Sequence, residues 1–158
     1  MSYDFTADDV FEMAGQLERN GAAFYRGAAE RLADDPAARE MLLGLAEMED
    51  NHERLFADMR ASLTDADTAV TVFDPNGDAV HYLRALADTR VFFQKTVDTS
   101  SMKEILKAAI EAEKDSIVFY LGMKEAVPEK HGKRRLDTIL KEEMGHIRML
   151  SKELMALK

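Results

Sequence analysis

Apolar residues recur every three to four positions along four stretches of the chain, the period at which one face of a helix turns inward. The first stretch begins near Thr6 or Asp8, where Thr6 and Asp9 have the spacing of a capping arrangement, and runs to about Leu32. Asp34-Asp35-Pro36 stops it and starts a second helix, whose inward positions are Leu42, Leu45, Glu49, His52, Phe56 and Met59. A third helix opens at Ser101-x-x-Glu104 and continues to about Ala126. Pro128 and Gly132 mark the next turn, and a fourth helix turns Leu136, Ile139, Glu143, His146 and Leu150 inward. Residues from about 64 to 100 form a long connection. It holds a strand-like or coil piece, Ala69 to Phe73, a Pro75-Asn76-Gly77 turn and a shorter helix from about Asp78 to Phe93. The pattern predicts an all-α chain with one domain over residues 1–158: two antiparallel helical hairpins joined by a crossover at about 64–100.

Charged residues interrupt the apolar columns. Glu18 falls in the column Phe11, Glu18, Tyr25, Leu32, and Glu113 in the column Leu106, Glu113, Tyr120, Val127. The inward face of the second helix carries Glu49-x-x-His52, and that of the fourth carries Glu143-x-x-His146, 94 residues later. Each pair follows a glutamate that lies seven residues before a tyrosine, so the chain is an internal repeat. The chain midpoint between Glu18 and Glu49 falls in the Asp34-Asp35-Pro36 turn, and that between Glu113 and Glu143 falls at Pro128. Within each hairpin the two glutamates therefore sit at one height. Four carboxylates buried bare would cost several kcal/mol each or be forced neutral. Two divalent cations remove the difficulty, because their charge balances four carboxylates while neutral imidazoles complete the coordination. Each histidine can hold one metal while the glutamate one turn before it bridges to the other. One glutamate from each of two helices and a Glu-x-x-His pair from each of the others is the donor set of carboxylate-bridged di-iron and di-manganese bundles. Iron is the first expectation, and manganese or zinc would also suit these ligands. Tyr25 and Tyr120 are placed to donate hydrogen bonds to ligand carboxylates.

Composition narrows the partners. A net charge of −9 disfavours nucleic acid and favours cations. The absence of cysteine excludes disulfides and any thiolate-ligated iron centre on this chain. No long apolar run and no basic leader point to a membrane or to export, so a cytoplasmic protein is expected. His81 and His131 read as surface residues, Glu47, Glu111 and Glu142 as facing away from the site, and Met48 and Met144 as packing.

With these residues in place, the chain resembles a rubrerythrin-type member of the ferritin-like di-iron carboxylate superfamily. The stretch from Ala109 to Tyr120 is especially similar, and the resemblance spans all four helices. It implies a ferritin-like four-helix bundle, with Glu18, Glu49, His52, Glu113, Glu143 and His146 as ligands of two irons. It also implies reaction with peroxide or dioxygen, and a homodimer. The chain departs from the pattern in three places. The chain carries no cysteine and has twelve residues after His146, so no cysteine-ligated rubredoxin-like domain is expected on it and electrons are expected from an external donor protein. Ser116 stands where rubrerythrins carry a further glutamate, and the crossover is longer than that family's. Bacterioferritins share the six-ligand pattern, but Asp50 occupies the place of their haem-binding methionine, and no haem is expected. The expected function is a peroxidase or ferroxidase type of oxidoreductase. Its alternative is a protein that handles or senses iron, zinc or manganese without turnover.

Overall fold

Helix starts in the computed structural model follow the caps written in the sequence. The structure describes residues 6–65, 78, 81–83, 85, 100–127, 130 and 132–157. Helix α1 spans Ala7–Arg31, and Thr6 closes a full capping box: its hydroxyl accepts from the Asp9 backbone N–H, and the Asp9 carboxylate accepts from the Thr6 backbone N–H. Helix α2 spans Pro36–Ala61, with the Asp35 carboxylate accepting from the Ala38 N–H and Pro36 in the first turn. Helix α3 spans Met102–Ala126. At its start Ser101 accepts from the Glu104 N–H, while the Glu104 carboxylate takes a bond from Lys107. Helix α4 spans Lys133–Ala156 and starts at Gly132, whose φ of 109° is the only positive φ among the described residues.

Gly132 fits that position for two reasons. Side chains rarely adopt such a backbone conformation, and a Cβ there would meet the Met59 sulfur at 2.4 Å. Gly132→Ala is expected to lower stability by about 1–3 kcal/mol through strain and displacement of buried Met59. A denaturant midpoint unchanged from wild type would contradict this.

The two hairpins, α1 with α2 and α3 with α4, pack so that α1 neighbours α3 and α2 neighbours α4. Two apolar clusters lie at opposite ends. One joins Val10, Phe11, Phe56, Met59, Tyr120, Met123, Leu136 and Ile139. The other joins Tyr25, Leu42, Leu45, Ile105, Leu106, Ala109 and Leu150. The first cluster thus gathers the start of α1, the end of α2, the end of α3 and the start of α4, so every neighbouring pair is antiparallel. The connection from α2 to α3 must return along the bundle, a distance of roughly 35 Å for a 25-residue helix. Residues 78, 81–83 and 85 within it are helical. Leu83 is buried in the first cluster, and the Tyr82 hydroxyl donates to the Val118 carbonyl at 3.2 Å. Both lean on Gly122, where a Cβ would come within 2.4 Å of the Tyr82 ring. The strand-like piece and the Pro75-Asn76-Gly77 turn expected from the sequence lie outside the described residues, as do Pro128 and His131; His81 is exposed. No described helix is long and apolar enough to cross a membrane.

Candidate metal centre

Between the two apolar clusters lies a layer of charge. Glu18, Glu49, His52, Glu113, Glu143 and His146 are all buried, none more than 4% exposed. Each is there because its helix face is otherwise apolar: packing Phe11, Tyr25, Leu45, Phe56, Leu106, Tyr120, Ile139 and Leu150 inward carries the polar residues in with them.

The six residues form two overlapping groups whose donor atoms all lie within 4.8 Å of one another: Glu18, Glu49, His52 and Glu143, and Glu49, Glu113, Glu143 and His146. Glu49 and Glu143 belong to both groups; Glu18 and Glu113 belong to one each. The bridging pattern inferred from the helical spacing therefore has its geometric counterpart. Both rings turn Nδ1 toward the carboxylates. His52 Nδ1 lies 3.1 Å from Glu143 Oε1 and 3.6 Å from Glu18 Oε2. His146 Nδ1 lies 3.0 Å from Glu143 Oε2, 3.3 Å from Glu113 Oε1 and 3.4 Å from Glu49 Oε1. The rings stack with centroids 5.9 Å apart.

Despite this proximity, His52 Nδ1, His146 Nδ1 and both Glu143 oxygens have no hydrogen-bond partner among the described residues. Buried polar atoms are almost always satisfied. These converge on points where a cation, rather than a hydrogen, would satisfy them all, so the residues fit two metal ions.

Without metal the charge must be balanced by protons. Burial, reinforced by Glu49 and Glu143, holds the Glu18 carboxyl well above the carboxylate range, and burial with Glu143 does the same to Glu113. Burial opposes ionisation of Glu49 and Glu143 as well. There it is outweighed by the closeness of Glu18 and the histidines to Glu49, and of Glu113 and the histidines to Glu143, which holds both low. Burial also disfavours charge on the rings, yet the surrounding carboxylates push both far up, His146 to about 12. Proton retention is thus favoured on Glu18, Glu113 and the two rings, and ionisation on Glu49 and Glu143.

The tyrosines cross between the repeats. Tyr25 of α1 donates to Glu113 of α3, and Tyr120 of α3 donates to Glu18 of α1. A tyrosine two turns from the glutamate on its own helix is about 10 Å away along the axis, so it bonds the glutamate of the antiparallel neighbour instead. Burial and the nearby carboxylates push both phenols well above the usual range, so both remain donors.

One expectation is corrected. Glu142 does not face away: its Oε2 lies 2.7 Å from His52 Nε2, although its side chain is 43% exposed. Its position is one residue, about 100°, from the inward Glu143, and its side chain is long enough to reach α2 from there. Glu47 and Glu111 are exposed, as expected. Asp50 is taken up in an ion pair with Arg26. A cavity of about 10 Å³, lined by Leu17, Gly21, Tyr25, Glu49, Ala112, Glu113 and Ser116, adjoins the centre. It has room for roughly one water-sized molecule. Gly21 borders it beside Glu49, whose Cγ lies 3.4 Å from where a Cβ would sit, an ordinary contact distance.

Comparisons with known proteins agree with this picture. The family model for rubrerythrin matches residues 9–154. A crystal structure from Thermotoga maritima, described as a putative ferritin-like diiron-carboxylate protein, superposes with a TM-score of 0.70 at 23% sequence identity. It covers 98% of this chain, which in turn covers 97% of it, and it bears on the fold alone. No curated protein matches.

Proposed function

The chain belongs to the rubrerythrin family, and from that premise we propose that it is a di-iron oxidoreductase that reduces peroxide or dioxygen with electrons from a separate donor protein. The observation that carries this reading is the pair of overlapping donor groups sharing Glu49 and Glu143. Glu18, Glu49, His52, Glu113, Glu143 and His146 would hold the two ions, with Tyr25 and Tyr120 orienting Glu113 and Glu18. When bound, a pair of ferrous ions supplies two electrons to an O–O bond; with two protons, hydrogen peroxide becomes two waters. The chain's own part is to neutralise the ions, keep bulk water out and admit only a small oxidant beside Glu49 and Glu113, as the size of the cavity there supports. We place the protein in the cytoplasm as a homodimer, without membrane or nucleic-acid partners.

One observation favours a second reading, metal handling without turnover. Ser116 lines the cavity with a hydroxyl where the resemblance leads one to look for a further carboxylate. The test is to load the protein anaerobically with ferrous iron, add peroxide, and follow ultraviolet absorption and peroxide consumption while a chemical reductant is supplied. An oxo-bridged ferric band followed by many cycles of consumption is expected. A single oxidation without repeated consumption, or native protein purified with two zinc ions, would replace the oxidoreductase reading with the second.

A further inference from the structure

The two halves of the site are repeats in their ligands but not in what supports them. With Nδ1 of each ring turned inward, its metal-binding lone pair is on Nδ1, and Nε2 must carry the ring hydrogen. His52 Nε2–H has an acceptor, Glu142 Oε2 at 2.7 Å. His146 Nε2 is buried with no hydrogen-bond partner among the described residues. The repeat accounts for the difference. Glu142 immediately precedes Glu143, and the residue preceding Glu49 is Met48, whose thioether is at best a weak acceptor. A carboxylate on the remote N–H fixes the ring's tautomer and orientation and makes it a stronger donor, and losing such a partner typically costs 10–100-fold in metal affinity. A second asymmetry lies on the same side. The cavity is lined by Glu113, which belongs only to the His146 group, and not by Glu18, which belongs only to the His52 group.

We propose that the two metal positions are unequal: the His52 position, supported by Glu142, is held tightly, and the His146 position, unsupported and beside the cavity, is the more weakly held and exchangeable one. Glu142 is a positioning residue in this scheme, acting through His52. The inference rests on the dinuclear reading of the site.

The test uses cobalt(II) as the probe on metal-free full-length protein. Titration against a competing chelator should resolve two steps separated by about 10–100-fold. Crystals grown with one equivalent should show anomalous density chiefly at His52. Glu142→Gln should weaken the tighter step by about 10–100-fold and leave the weaker one in place, and Met48→Glu should strengthen the weaker step. Glu142 is half exposed, so Glu142→Gln is expected to keep its fold, which circular dichroism checks; the anomalous experiment on the unaltered protein stands without it. Equal occupancy of the two positions at one equivalent, or unchanged constants in Glu142→Gln, would overturn the inequality while leaving the dinuclear site standing. Failure to bind cobalt at all would overturn both.

Discussion

Metal-free protein supplied with two equivalents of ferrous, manganous or zinc ion should melt roughly 15–30 °C higher. A ligand that binds only the folded state, present at about a thousand times its dissociation constant, contributes about 4 kcal/mol per site. Two sites give about 8 kcal/mol, and each kcal/mol moves the melting point of a chain this size by about 2–4 °C. The pH dependence makes the expectation sharper. In the metal-free state Glu18 and Glu113 hold protons, and His52 and His146 are charged, because their folded pKa values are raised. A group with a raised folded pKa contributes stability that is fully present below its unfolded value and is lost as pH rises through the folded one. For the two glutamates the loss begins above the ordinary carboxylic value of 4.5, and for the histidines above 6.5. Glu49 and Glu143, shifted down, contribute stability present above 4.5 and lost only as pH falls through their folded values, so they do not change between pH 5 and 8. The metal-free melting temperature should therefore fall from pH 5 to pH 8.

Metal binding runs the other way. Loading both positions displaces protons held at Glu18, Glu113, His52 and His146, so affinity climbs with pH and the metal-induced rise in melting temperature grows with it. Calorimetric titrations in buffers of different ionisation enthalpy would count the released protons directly, with net release expected on loading. A metal-free melting temperature that rises between pH 5 and 8, or metal binding without proton release, would mean that the site is not the proton-retaining cluster described above.

The sequence announces this site because a glutamate at a column otherwise filled by Phe11, Tyr25 and Leu32 has no apolar reason to be there, and repetition multiplies the anomaly. The helix starts at Thr6, Asp35 and Ser101 are equally legible, since a cap is a local bond between residues three apart. What escapes is whatever depends on the neighbouring helix. Tyr25 is legible as a donor, but its acceptor, Glu113, is set by the antiparallel packing of α1 on α3. Glu142 escapes because its angle from the inward face suggests solvent, whereas a flexible side chain between two adjacent helices can reach an imidazole on the other. The short helix of the crossover is legible as well, since residues 78, 81–83 and 85 are helical within the stretch from Asp78 to Phe93, but its docking through Tyr82 and Leu83 shows in the sequence only as an unexplained glycine, Gly122, inside a helix.

Replacing Glu143 should empty both metal positions, whereas replacing Glu18 should empty only one. Glu143 is fully buried and presents one oxygen to each histidine, Oε1 to His52 Nδ1 at 3.1 Å and Oε2 to His146 Nδ1 at 3.0 Å, so both donor groups depend on it. Glu143→Gln keeps the volume but leaves an amide that can offer only one oxygen and no charge. With one carboxylate gone, two divalent ions would leave the buried site with an uncompensated positive charge, and the cost of such a charge is several kcal/mol. Metal content is expected to drop from about two per chain to well below one, and the metal-induced rise in melting temperature should vanish. Glu18→Gln removes a terminal ligand from the His52 group alone, so about one metal per chain, held by Glu49, Glu113, Glu143 and His146, should survive. Helix content in both variants should match the wild type, because the metal-free site already retains protons and the two apolar clusters on either side are untouched. Elemental analysis of the two proteins side by side decides the point. If Glu143→Gln keeps a full complement of metal, or if both variants lose the same amount, Glu143 is an ordinary ligand and the ions are not bridged by it.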